Sequence, residues 1–229
     1  MKNKLIVVFS IIIVGIVLMS VIFILRNNDV EVNYTQDEIK FKDEYENLNG
    51  QEIVTDYTLK TVDIDVDNNV KYINDNEILD LLTNGTNVIY FGWSDCNWCR
   101  SIVPTLINTL KQNKIDTLYY YDFKSLRNSY ENDDNDKSVK LYEEIVKIIG
   151  DNIESVFDEE SNKSGEKKIL APTVVFIKNG ELLGVHIKSV DSQLKSTDVL
   201  NKNQVRELSN IYKNYIQQMN AEVCVEEGC

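Results

Sequence analysis

The chain of 229 residues has little proline, cysteine or histidine: two, four and one respectively. So few cysteines exclude a disulfide-dense scaffold, and so little proline beside nine glycines excludes collagen-like and mucin-like chains. Positive charge is scarce as well. Lys and Arg number 24 against 37 Asp and Glu, a formal net charge of −13, which argues against a nucleic-acid binder with its basic patch. Hydrophobic residues at 43% and aromatics at 9% are enough for a buried core and exclude wholesale disorder, and the length predicts one domain.

One long apolar run is present. Leu5 to Leu25 read LIVVFSIIIVGIVLMSVIFIL without a charge, long enough as a helix to cross the hydrocarbon core of a bilayer. Lys2 and Lys4 precede the run, and Arg26 alone follows it before Asp29 and Glu31, so the positive-inside bias keeps the amino end cytoplasmic. A cleaved signal peptide would have an apolar region of about 7–15 residues and a small-x-small site, and no such site follows the run. The sequence therefore predicts a signal anchor over 1–26: a single-pass cell-membrane protein whose carboxyl-terminal part is extracytoplasmic. The exported part is acidic, which favours solubility and repulsion from anionic headgroups, and its compartment permits disulfides.

Residues 27–69 are polar and acidic, with FKDEYENLNG at 41–50 and DIDVDNN at 63–69, and predict a stalk with some local structure. Asn74 stands three residues before Glu77, a capping-box pattern, and Ile78, Leu81 and Leu82 follow as a short helix stopped by Gly85. NVIYFGW at 87–93 reads as a central strand covered on both faces. Cys99, Ile102, Val103, Leu106, Ile107 and Leu110 recur at helical steps and predict a helix over about 97–112. TLYYY at 117–121 is a second strand, YENDDND at 130–136 has loop character, and Leu141, Tyr142, Ile145, Ile148 and Ile149 mark a helix ended by Gly150. A loop at 158–168 precedes TVVFIKNGELLGVHI at 173–187, two strands joined at Asn179-Gly180. A helix over about 203–219 and a cysteine-containing tail at 221–229 close the chain. This order implies an α/β fold, a mixed central sheet flanked by helices, over residues 70–220.

In FGWSDCNWCRSIVP, Cys96 and Cys99 form a C-x-x-C where a strand gives way to a helix. Unpaired N–H groups and the macrodipole at the helix amino end favour an anion, so the Cys96 thiolate forms more readily than in a free peptide. Cys99, one turn inward, is placed to displace a substrate thiolate from the mixed disulfide, which completes a two-electron cycle. Asp95 opposes the Cys96 thiolate and Arg100 favours it. Trp93 and Trp98 offer an apolar surface to a partner polypeptide, or simply pack. A zinc site made with Cys224 and Cys229 is the competing use of four thiols.

With these motifs, and with Pro104 five residues after Cys99 and Leu170-Ala171-Pro172-Thr173 before the hairpin, residues 70–220 resemble the thioredoxin superfamily. Within it the chain looks closest to membrane-anchored thioredoxin-like proteins of Gram-positive bacteria similar to bacteriocin-transport accessory proteins. The resemblance implies a cis-proline loop at Pro172 facing the cysteines, Ala171 pairing with a bound peptide in β fashion, and close backbone approach at Gly184. The implied activity is thiol-disulfide exchange on cysteines of exported proteins, with a separate redox partner and no cofactor beyond the Cys96–Cys99 disulfide. Three departures stand out. The family's buried acid falls at Tyr90; the dipeptide Asn97-Trp98 replaces Gly-Pro or Pro-His, leaving the direction of electron flow open; and the chain is enlarged at about 124–168.

Cys224 and Cys229 close either a passive tail disulfide or a mobile relay dithiol that exchanges with Cys96 and Cys99. His186, on the last strand, reads as an ordinary packed or surface histidine. The alternative function is an accessory or holding protein for peptide export that binds polypeptide in the same groove without turnover.

Overall fold

A computed structural model describes residues 33–54, 57–132, 136–150 and 167–221. The apolar run at 5–25, the start of the expected stalk, most of the loop at 158–168, and Cys224 and Cys229 lie outside the described residues. Among those described, no helix is long and apolar enough to cross a membrane.

Three parallel strands, β3 (Val70–Tyr72), β4 (Asn87–Gly92) and β5 (Leu118–Asp122), and an antiparallel hairpin, β6 (Thr173–Lys178) and β7 (Glu181–Ile187), form one five-stranded mixed sheet in the order β3-β5-β4-β6-β7. The nearly continuous apolar run of β4 is explained by its central place: Val88 through Phe91 are all buried. Alternate residues serve opposite faces. Val88 and Tyr90 join a core with Cys99, Leu106, Leu208 and Tyr212, from α3 (Asn97–Gln112) and α6 (Lys202–Asn220). Ile89 and Phe91 join a second core with α2 (Ile78–Thr83), α4 (Lys124–Asn132) and α5 (Asp136–Ile149). The hairpin turns at Asn179 and Gly180, both at positive φ (53° and 79°), as expected of an Asn-Gly turn.

The stalk expected over 27–69 is corrected from Thr35 onward. Thr35 caps α1 (Gln36–Glu46) by accepting from Glu38 N, while the Glu38 carboxylate accepts from Thr35 N. Phe41 and Tyr45, one turn apart, are fully buried, and the Phe41 ring meets the edge of Tyr120 at 4.9 Å. A small hairpin, β1 (Glu52–Val54) and β2 (Tyr57–Thr58), follows, and Leu59, Val62 and Ile64 are also buried. What fastens this polar stretch is hydrogen bonding from side chain to backbone. Asn49 bonds both the N–H and the C=O of Val62, and Asn68 Nδ2 reaches the Glu38 carbonyl at 2.9 Å.

The loop expected at 130–136 is also corrected in part, because α4 runs to Asn132 and α5 begins at Asp136. Tyr130 and Tyr142 stack across the two helices at 4.1 Å.

Candidate active site

Two chain segments far apart in sequence meet at one pole of the sheet because β6 runs antiparallel to β4. Phe91 pairs with Thr173, which brings the end of β4 beside the start of β6. After β4 the chain turns through Ser94 and Asp95, and Cys96 becomes the N-cap of α3. Its backbone is extended (φ −103°, ψ 114°), and its sulfur accepts from Cys99 N at 3.3 Å, the bond a Ser or Asp cap would make. The peptide bond Ala171-Pro172 is cis, as the resemblance implies, and Cys96 Sγ lies 3.7 Å from the Ala171 carbonyl oxygen. Both cysteines are free thiols, Cys96 half-buried and Cys99 buried.

The two thiols differ in acidity for physical reasons. The neighbouring Cys99 thiol is the largest influence on Cys96, and the backbone N–H groups of Cys99 and Trp98 add to it, so the Cys96 pKa falls below the usual thiol value despite burial and the nearby Asp95 charge. Asp95 is itself paired with Lys124 at 2.5 Å. Burial pushes the Cys99 thiol well above its usual range, and the Cys96 anion adds to that, whereas the Tyr90 side chain and the Trp93 backbone oppose it. Two thiols of opposite pKa direction thus arise from identical side chains.

Arg100, expected to favour the thiolate, is instead committed to the amino-terminal segment. Its side chain is 2% exposed, and it donates from Nε to the Lys60 carbonyl, from Nη1 to the carbonyls of Tyr45 and Ser94 at 2.9 Å, and from Nη2 to Asn49 Oδ1. Asn97 is held by the same segment, receiving from Lys60 N at 2.8 Å and donating to the Thr58 carbonyl at 2.9 Å. Lys60, which no sequence signal singled out, is the cation near Cys96: burial lowers its pKa to about 8, while the Cys96 anion pulls it upward. Its Nζ bonds Ser101 Oγ, and the Asp198 carbonyl at 3.1 Å.

The two tryptophans diverge. Trp93 packs on Phe123 at 5.2 Å with the Arg127 guanidinium 5.8 Å from its ring. Trp98 borders a cavity of about 410 Å³ whose other wall includes Ile187, Ser189, Val190, Gln193 and Leu194. Leu194 and Val199 are 83% and 82% exposed. Gly184 admits the ring of Tyr215, since a Cβ there would fall 2.3 Å from Tyr215 Cε1. His186 meets Tyr212 edge-on at 5.3 Å, and burial lowers its pKa to about 4. No cluster of three or more His, Cys, Asp or Glu suited to a metal occurs among the described residues, and the zinc alternative rests on Cys224 and Cys229 outside them.

No protein-family model matches this chain, and no curated protein matches it.

Proposed function

We propose that this chain is a membrane-anchored, extracytoplasmic thiol-disulfide oxidoreductase of thioredoxin-like fold that acts on cysteines of exported proteins. The observation that carries the reading is the acidity contrast at one helix end: Cys96 at the N-cap of α3, pKa lowered, 3.7 Å from the Ala171 carbonyl, and Cys99 buried one turn inward, pKa raised.

In the reducing direction the Cys96 thiolate attacks one sulfur of a substrate disulfide, forming a Cys96-substrate disulfide and releasing the other sulfur as a thiol. Cys99 then loses its proton to solvent and attacks Cys96 Sγ. The intramolecular disulfide forms, and the second substrate sulfur leaves and takes up a proton. Two electrons pass from the dithiol to the substrate; the oxidising direction is the reverse. Ala171, Pro172 and Trp98 border the site and would hold the substrate chain.

The cavity beside Trp98, with Leu194 and Val199 exposed, favours the second reading, a polypeptide-holding accessory without turnover. One experiment separates the two. Reduced full-length protein in detergent micelles is titrated against a glutathione redox buffer, with mass spectrometry following each cysteine. A reversible Cys96–Cys99 couple is expected, near about −270 mV for a reductase or about −120 mV for an oxidase. A pair that stays reduced across that range, with polypeptide binding unaltered in Cys96→Ser, refutes the enzyme and leaves the holding protein.

A further inference from the structure

The resolving thiol has a built surrounding that the exchange reaction alone does not explain. Tyr90, on the central strand, is fully buried in the same core as Cys99, and the two side chains act on each other electrostatically. Behind it, the hydroxyl of Tyr45 lies 2.8 Å from that of Tyr90, also fully buried. Room for the Tyr90 hydroxyl is made by Gly92: a Cβ at that position would fall 2.3 Å from the Tyr90 oxygen. The Tyr90 ring is fixed by stacking on Tyr120 at 5.3 Å, and Tyr45 is fixed by Phe41 at 4.7 Å and by the Arg100 guanidinium at 5.8 Å. The Trp93 backbone also favours the charged form of Cys99.

We infer that the Tyr90 hydroxyl is a catalytic hydrogen-bond donor to the Cys99 thiolate, and that Tyr45, from the amino-terminal helix, is a positioning residue that donates to the Tyr90 oxygen. This rests on the oxidoreductase reading of the same site. The order of donation follows from chemistry. Burial holds both phenols protonated, their pKa values well above the ordinary one, so Tyr90 does not take the Cys99 proton as a base would. When the proton has left for solvent, the sulfur is an acceptor only. The Tyr90 O–H turns to it, and the Tyr45 O–H fills the acceptor site left on Tyr90. The buried thiolate gains an anchored donor during the step in which it attacks Cys96, and the donors keep their protons throughout. The amino-terminal segment, through Tyr45, thereby enters the chemistry of the dithiol.

The test mixes reduced full-length protein in micelles with oxidised glutathione, quenches with acid, and counts the Cys96-glutathione adduct by peptide mass spectrometry. Wild type is expected to form the adduct and resolve it quickly. Tyr90→Phe keeps the stacked ring and is expected to slow resolution at neutral pH about tenfold, the weight of one hydrogen bond to an anion, with the rate profile displaced to higher pH and adduct formation unchanged. Tyr45→Phe is expected to slow resolution by a smaller factor, and the double variant to match Tyr90→Phe alone, because the two act through one bond. Resolution in Tyr90→Phe equal to wild type at every pH overturns the inference, and so does an equal slowing at all pH values, which marks a merely structural effect. Were Tyr90→Phe to fail to fold, Tyr45→Phe decides on the same readout. A wild-type chain whose Cys96 never takes up glutathione sinks the oxidoreductase reading itself, and this inference with it.

Discussion

Replacing Arg100 with Met tests whether the amino-terminal segment is fastened to the active-site helix through one buried cation. The methionine stem fills the aliphatic part of the space but removes every donor. The carbonyls of Tyr45, Lys60 and Ser94 lose their bonds from Arg100, whereas Asn49 Oδ1 keeps its bond from Val62 N. Four hydrogen bonds at about 1 kcal/mol each, offset in part because a guanidinium no longer has to be desolvated, give an expected loss of about 3 kcal/mol. That is a large share of the roughly 5–15 kcal/mol of a whole domain. Urea unfolding of the full-length protein in micelles measures the loss. Hydrogen exchange should locate it, with faster exchange at Leu59 and Val62, whose amides bond Gln51 O and Asn49 Oδ1. A loss below about 1 kcal/mol, or unchanged exchange at these two amides, would refute the clamp.

Gly184→Ala puts a methyl against the Tyr215 ring, which stacks on Phe176 at 4.5 Å; a destabilisation of about 1–3 kcal/mol is expected in thermal or urea melts, and a neutral effect would show that the ring yields freely. His186 has a folded pKa of about 4 against an ordinary value near 6.5, so the unfolded chain binds the proton first and stability falls as pH drops from about 6.5 towards 4, by about 2 kcal/mol at pH 5. His186→Phe should flatten that part of the stability-pH curve, and an unchanged slope counts against the assignment. For the tail, the Ala221 carbonyl accepts from Lys178 Nζ at 2.6 Å, at the end of the sheet opposite Cys96. The three residues from there to Cys224 reach about 10 Å at most, whereas β4 alone spans about 16 Å. Oxidation of full-length protein should therefore give no Cys96–Cys224 bond within one molecule; finding that bond in a monomeric band would show that the anchor at Lys178 releases.

The parts of the fold legible in the sequence were those whose burial follows a period. The stripe from Cys99 to Leu110 placed α3, the continuous run at 88–91 placed the central strand, and Asn179-Gly180 placed the hairpin turn. Residues 35–64 were misread because their burial follows no period. Only Phe41 and Tyr45 of α1 carry its apolar contact, β1 and β2 span three and two residues, and the rest is held by Asn49, Asn68 and Arg100 bonding to backbone groups distant in sequence. Such bonds depend on tertiary partners and leave no trace in hydropathy. Arg100 was misread for the same reason: its nearness to Cys96 in sequence says nothing of which side of α3 it leaves. Tyr45 had a weak signal in its spacing from Phe41, and Lys60 had none.

On the proposed reading, the order in which the two thiols would react follows from topology rather than from the cysteines. An antiparallel β6 beside a parallel β4 puts a peptide carbonyl, Ala171, against the first turn of α3, so a substrate strand lying there meets Cys96 first. The helical step of three residues then turns Cys99 inward, onto the face where Tyr90 and Val88 point. Exchanging the roles would require a thiolate in the core to meet a polypeptide outside it. On the proposed reading an entering substrate would bind at Cys96, and its release would depend on how well the interior tolerates one transient negative charge at Cys99. The Tyr90 side chain and the Trp93 backbone, both of which oppose the upward shift at Cys99, would set that tolerance.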